Sequence, residues 1–296
     1  MTWQFVIAGL AVGTLVGMTG MGGGSLMTPM LILIFGFDPR TAVGTDILHG
    51  AIFKSFGAWR HRQLGNVHTH LALWMLVGSG PLSLVGVQLA SSFGDSAEST
   101  MSKVVGASLI LGGLGFAAKT FLPIAQRADD DDFAITTRVR VIAITIGGVF
   151  GFIVGLTSVG SGTFFGLALL LLFPLSATRM VGTDLLHAAL LLFVAGAGHL
   201  IHGNVDLHAM SWLLVGSIPG VLIGSHLSIH VPDRALRVVF SFVLMLSGIK
   251  LVEAPAADRI IEVGGVLGAL ALGAWGFAEL RERRRVTRRI PAHDPA

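Results

Sequence analysis

Residues 43–90 and 181–228 are one sequence written twice, aligning without a gap at a shift of 138 positions. The identical pairs include Asp46 with Asp184, His49 with His187, His61 with His199, Asn66 with Asn204, His70 with His208, Trp74 with Trp212 and Pro81 with Pro219. Any fold for this chain must therefore accommodate the same element twice. In an apolar chain, internal duplication is a common construction of secondary transporters, whose substrate site lies where the repeats meet.

The surroundings of the doubled block are apolar. With 53% hydrophobic residues, 12% charged residues and a mean hydropathy of +0.78, the chain has too little polar surface for a soluble protein. It reads as an all-α polytopic membrane protein of two homologous halves with Gly-rich broken helices. The 40 glycines suit close helix approach and backbone breaks inside protein. The absence of cysteine excludes disulfides, thiolate metal sites and Cys nucleophiles. The pI near 9.9 comes largely from the Arg-rich tail Glu279–Arg289. Such a tail beside an apolar segment is a cytoplasmic anchor against anionic lipid and does not imply nucleic acid.

Apolar segments able to span about 30 Å of hydrocarbon fall at 3–19, 41–59, 69–91, 101–122, 139–157, 179–201, 207–229, 235–252 and 260–279. Shorter ones at 24–36 and 162–175 follow glycine-rich breaks and either cross or fold back. If both cross, each half has an odd number of spans, and the second half lies upside down relative to the first. With the tail inside, Arg60, Arg62, Arg127, Arg138, Arg140, Arg179, Arg234 and Arg237 also fall inside, and Arg40, Lys103 and Arg259 outside. That asymmetry supports an inverted duplication, although a four-span repeat with re-entrant hairpins gives much of the same pattern.

The expected organisation is a first transmembrane repeat (1–122), a polar linker (123–138) carrying four aspartates, a second repeat (139–252), a further helix (260–279) and a basic cytoplasmic tail (280–296). The apolar N-terminus has no basic n-region, and its Gly9, Gly13 and Gly17 recur as Gly147, Gly151 and Gly155. It reads as structure and not as a cleaved signal.

Two doubled constellations carry the chemistry. Gly17–Ser25, containing Gly22, Gly23, Gly24 and Ser25, is answered by Gly155–Thr163, containing Gly160, Ser161, Gly162 and Thr163. Consecutive glycines unwind a helix, and the helix that restarts can offer amide donors and a positive dipole end to an anion. Close helix packing uses glycine equally well.

The second constellation is Gly44-Thr45-Asp46-x-x-His49 with its twin Gly182-Thr183-Asp184-x-x-His187. Asp and His three apart share a helix face, and ionisable groups inside a membrane protein point to function. Carboxylates near a helix start also serve as caps, which leaves the histidines unexplained. Lys54 has no twin, the equivalent residue being Leu192. It either neutralises a substrate anion or Asp46, or snorkels toward the level of Arg60. His61, His68 and His70 flank Gly65-Asn66-Val67, and His199, His202 and His208 flank Gly203-Asn204-Val205, short turns that place them at the headgroups.

Rival readings exist. Two Asp-x-x-His pairs suit a divalent metal ion, which would make the chain a metal transporter. An intramembrane serine protease could use Ser161, but its repeat partner is Gly23, so the same backbone device occurs without a hydroxyl. No cofactor, nucleotide loop or enzyme motif stands out.

The ordered double set of Gly22–Gly24 with Pro29, Ala42–Leu48, Arg62-x-x-Gly-Asn-Val67 and Gly78-x-x-Pro81 resembles the sulfite exporter TauE/SafE family over residues 5–252. The resemblance implies a secondary transporter of small sulfur-containing anions, such as sulfite, a sulfonate or a related organosulfur compound, in the bacterial inner (cytoplasmic) membrane. Departures from the pattern are Leu167 at the equivalent of Pro29 and His49 where tyrosine is expected. Together these readings place the anion at Gly22, Gly23, Gly24, Ser25, Thr45, Lys54, Gly160, Ser161, Gly162, Thr163 and Thr183. Asp46, His49, Asp184 and His187 would gate or couple protons, histidine being the side chain that titrates nearest neutrality. The expected partners are the anion and membrane lipid, and the reading is compatible with a homo-oligomer.

Overall fold

Caps and glycines divide the chain into α1 (Thr2–Thr19), α2 (Gly24–Leu33), α3 (Pro39–Gln63), α4 (Thr69–Ser92), α5 (Glu98–Phe121), α6 (Thr137–Thr157), α7 (Phe164–Leu172), α8 (Ala177–Ile201), α9 (Leu207–Leu227) and α10 (Asp233–Leu251). These boundaries come from a computed structural model that describes residues 2–19, 24–93, 97–121, 133–227 and 233–266, among which there is no β-strand. Asp38 caps α3 by accepting from the Thr41 amide at 3.0 Å, with Pro39 in the first turn. Its repeat equivalent Ser176 does the same for α8. Both helices end on a left-handed glycine, Gly65 (φ 72°) and Gly203 (φ 73°). The following amides, Asn66 and Asn204, return to the carbonyls of His61 and His199, the Schellman closure that only a positive φ permits.

Among the described helices, α4, α6 and most of α5, α8 and α9 are long and apolar enough to cross a membrane. Helix α3 has 25 residues, about 37 Å and as many as α8, but carries Asp46, Lys54, Arg60 and Arg62. By contrast α2 and α7 have 10 and 9 residues, about 14 Å each and half a bilayer. The ring of Phe5, near the start of α1, lies 4.8 Å from Phe35 and 6.0 Å from Phe37, just beyond the end of α2. Because α1 climbs about 21 Å from Phe5 to its end, α2 must double back alongside it. Phe133 before α6 and Phe173 after α7 are 6.4 Å apart, so the second pair is the same kind of hairpin. The short segments therefore fold back.

Glycines fix how the helices meet. In the α4–α6 pair, Gly147 faces the backbone of Met75 and Gly151 that of Ser79, so the two helices run parallel. Gly9 faces Leu213 and Gly13 faces Ser217 in the α1–α9 pair, the same contacts moved by 138 positions. Helices α3 and α8 pack antiparallel, with Gly44 against Asn204, Gly50 against Leu192 and Gly57 against Leu185. Helices α5 and α10 are antiparallel as well, Gly106 meeting Gly248 and Gly113 meeting Ser241.

These directions put the end of α3 (Arg60, Arg62) and the starts of α6 (Arg138, Arg140), α8 (Arg179) and α10 (Arg237) at one end of the bundle. The Thr183–His68 and Arg237–Lys119 contacts tie that end together. Arg40 lies at the opposite end, where its guanidinium donates to the Phe93 carbonyl at 2.7 Å. The expected Arg127 and the tail lie outside the described residues. Residues 253–296 form a separate unit, in which residues 257–266 are helical. The rest of the segment expected to span at 260–279 lies outside the described residues.

A methyl at Gly147 would overlap the Met75 carbonyl, whereas one at Gly115 in α5 meets nothing within 4 Å. Gly147→Ala is expected to lower stability by about 1–3 kcal/mol through backbone displacement, and Gly115→Ala to leave it unchanged or raise it by up to about 1 kcal/mol. Thermal unfolding of the two detergent-purified variants checks the contrast.

Candidate functional site

The centre of the α3–α8 crossing holds the ionisable residues. Lys54, four turns into α3, is only 1% exposed. It does not snorkel. Its Nζ donates to the Ser161 carbonyl at 3.0 Å and pairs with the Ser161 hydroxyl at 2.8 Å. Both partners belong to the break between α6 and α7. That break is held open by left-handed backbone at Ser158 (φ 62°), Gly160 (φ 116°) and Gly162 (φ 118°). A buried ammonium without such partners would be strongly destabilising.

Asp46, two turns before Lys54, is equally buried. Its Oδ2 accepts from the Thr28 hydroxyl of α2 at 2.5 Å and the Ser158 hydroxyl at 2.9 Å. Asp46 thus ties α3 to a short helix of its own half and to the break of the other, and its Oδ1 has no partner. Asp184 on α8 is also buried, within electrostatic reach of Lys54 and of Lys119 on α5.

The histidines and threonines of the doubled motif clamp one repeat to the other. The His49 Nε2 pairs with the Ser217 hydroxyl at 2.8 Å, and the His187 Nε2 with the Ser79 hydroxyl at 2.9 Å. The Thr45 hydroxyl accepts from the Asp206 amide, and the Thr183 hydroxyl from the His68 amide, each at 2.9 Å. Gly44 and Gly182 let the carbonyls of Asn204 and Asn66 pass where a Cβ would stand. Thr45 and Thr183, expected at the anion, therefore spend their hydroxyls on the facing turns. Partial burial holds the His68 imidazole below its ordinary pKa, consistent with its Nδ1 accepting from the Leu71 amide. Not every flanking histidine sits at the periphery. His199 is fully buried, and its Nε2 donates to the Gly155 carbonyl in the last turn of α6.

Several expected anion ligands are arranged differently from the sequence reading. The amides of Phe164 and Phe165, the first of α7, both turn to the Gly160 carbonyl. The break thus offers Lys54 an oxygen and a hydroxyl. Ser25 and Thr163 are buried near the helix starts, and the Thr163 hydroxyl has no partner. Gly24 opens α2, and Gly22 and Gly23 lie outside the described residues. Sequence reasoning missed Thr28, Ser158, Ser79, Ser217 and Lys119. The two serines at 79 and 217 were findable, being a repeat pair inside the doubled block.

Among the described residues no three His, Cys, Asp or Glu side chains gather as a metal site would require, and Asp46 and His49 turn to separate partners. An apolar cleft of 210 Å³ between α1, α2 and α10, lined by Val12, Leu26, Pro29, Phe240 and others, includes none of the central polar groups.

The family model described as sulfite exporter TauE/SafE matches residues 5–251, nearly the whole described bundle. The chain belongs to this family. It is 38% identical over 255 residues to the probable membrane transporter protein YjnA of Bacillus subtilis, covering 85% of this chain and all of that relative. The probable membrane transporter proteins YunE and YdhB of the same organism are 25% and 24% identical over 83% and 81% of this chain. No solved structure matches. A TauE/SafE membrane transporter accounts for the apolar helices, and its multi-pass character follows from them.

In this TauE/SafE chain, Ser217→Ala and Ser79→Ala each leave a buried imidazole nitrogen unpaired. Each is expected to cost about 1–3 kcal/mol, and Ser→Thr at either position less. Denaturation midpoints of the purified variants report it, and unchanged midpoints would contradict the clamp.

Proposed function

We propose that the protein is a secondary transporter of small sulfur-containing anions, such as sulfite or a sulfonate, across a bacterial inner membrane. Its two halves are inverted repeats that rock about the α3–α8 crossing. The observation that carries this reading is the Lys54 ammonium, buried at the crossing and bonded to the other half's helix break. A fixed cation in a dry interior selects anions, and Ser161, which bonds it, and Thr163 in the same break add hydroxyls suited to an oxyanion.

Pairing of the helices supports the inverted arrangement. Each hairpin starts and ends on one side, so it adds an even number of crossings to α3, α4 and α5 or to α8, α9 and α10. The count per repeat is odd whether or not the hairpins reach the far side. An odd repeat inverts, and it gathers the arginines at one end as a cytoplasmic face requires. Asp46, His49, Asp184 and His187 stand beside the cation, where they gate the site or carry protons with the anion. The backbone around Gly22–Ser25 and Gly160–Thr163 supplies the hinge and part of the anion's contacts once the site opens.

Thermal-shift measurements on the purified protein with sulfite, thiosulfate, sulfonates, sulfate and divalent metals test the substrate class, because a ligand of the folded state stabilises it by mass action. Stabilisation by a sulfur oxyanion, lost in Lys54→Gln, is expected. Stabilisation by a divalent metal alone, lost in Asp46→Ala, would favour metal transport instead. In proteoliposomes, His49→Gln and His187→Gln are expected to flatten the pH dependence of sulfite flux, and full retention of that dependence would exclude these histidines from coupling.

A further inference from the structure

The two central carboxylates are repeat partners, but their surroundings are not. Moving the Asp46 site by 138 positions replaces Thr28 with Gly166, and Ser158 corresponds to Gly20. Both hydroxyls that hold Asp46 thus have glycine at their equivalent sequence positions. The room at Gly166 is used: a Cβ there would stand 3.1 Å from the Lys119 Nζ and 3.9 Å from the Asp184 Oδ2. Lys119 is 4% exposed, two residues before the end of α5, and its equivalent by the same shift, position 257, is alanine. Around this point Asp184 Oδ1, Thr163 Oγ1 and His187 Nδ1 are buried without a partner.

We propose that the anion binds at one off-axis site beside Asp184 of the second half, between the ammonium groups of Lys54 and Lys119 of the first, where it takes the place of the Asp184 carboxylate, which accepts a proton as it yields its lysines. This rests on the anion-transport reading above and names the site and coupling group within it. Asp46, fastened by two hydroxyls, is the fixed counterpart that keeps the second break in position.

Charge balance supplies the coupling. Among the described residues the buried charged side chains are Asp46, Asp184, Lys54 and Lys119, two of each sign. An entering monoanion leaves one negative charge in excess, and a buried group then neutralises rather than bear it. Asp184 lies within electrostatic reach of Lys54 on α3 and Lys119 on α5; His187 follows it by three residues on α8, and the His68 amide at the start of α4 bonds the neighbouring Thr183 hydroxyl. Helix α7 carries no titratable side chain, and those of α6 are Arg138 and Arg140 at its start. Of the carboxylates, Asp184 is the one not fastened by hydroxyl donors, so it takes the proton. The proton comes from the side the anion comes from, and Asp184 takes up one proton for each anion bound.

The test uses the full-length protein with sodium sulfite and sodium thiosulfate as probes, read by thermal shift and by flux into proteoliposomes containing a pH dye. Lys119→Gln is expected to weaken the stabilising effect by about 10-fold or more in concentration, the loss of one charge-assisted contact, and Lys119→Arg to restore most of it. Gly166→Thr, which installs the first half's residue where Lys119 sits, should act like Lys119→Gln. Asp184→Asn should keep or tighten anion binding while the internal pH no longer follows flux. Lys119→Gln with wild-type affinity, or Asp184→Asn with intact proton movement, would overturn the site. A wild-type protein stabilised by neither anion would overturn the transport reading, and the site with it.

Discussion

The lysine buried at position 54 is the constraint to which the rest of the structure answers. An ammonium taken out of water needs donor-matched oxygens and a counter-charge, and leaving it without them is prohibitive. The oxygens come from Ser161, which requires an interrupted helix, and the interruption requires the left-handed backbone that Gly160 and Gly162 supply. The counter-charge comes from Asp184 across on α8 and from Asp46 on the same helix. Glycine at Gly50 and Gly57 then lets the two helices pack closely enough to exclude water. The Lys54–Asp184 pairing therefore spans the two halves of the chain.

The doubled motif gains a physical explanation from these contacts. Gly44 and Thr45 fit the turn that follows the other copy's helix, and Gly182 and Thr183 fit the first copy's turn in return. His49 and Ser217, like His187 and Ser79, are complementary halves of one contact made twice. Each copy is therefore the template for the other, and a change in one motif element removes a contact at both a helix and a turn. What the copies do not share, namely Lys54, Lys119, Thr28 and Ser158, sits around the charges and makes the pseudo-symmetric frame chemically one-sided.

Much of the frame was legible in the sequence. The long spans up to residue 252 fall within a few residues of the observed helices, because apolar runs, Pro39 and the Gly-Asn turns mark their ends locally. The hairpins were not legible, since a short apolar helix has the same composition whether it continues or doubles back, and the Phe5–Phe35 and Phe133–Phe173 contacts decide it. Lys119 was invisible for a related reason: a lysine near a helix end ordinarily snorkels, and its burial depends on space left by a glycine on another helix. His199 was expected at the headgroups and lies buried, because its partner is the Gly155 carbonyl, which the sequence cannot place beside it. The glycine-rich break was legible as a break, but the direction its amides turn was not.

Inversion of the two halves is the central claim, and a sidedness measurement tests it most directly. The chain has no cysteine, and Gln63 and Ile201 are exposed repeat equivalents at the ends of α3 and α8. Single Gln63→Cys and Ile201→Cys variants, labelled with a membrane-impermeant thiol reagent in intact cells and in inverted vesicles, separate the alternatives. Inverted halves predict that position 201 labels from outside the cell and position 63 from the cytoplasmic side. Labelling of both from the same side would contradict the inversion.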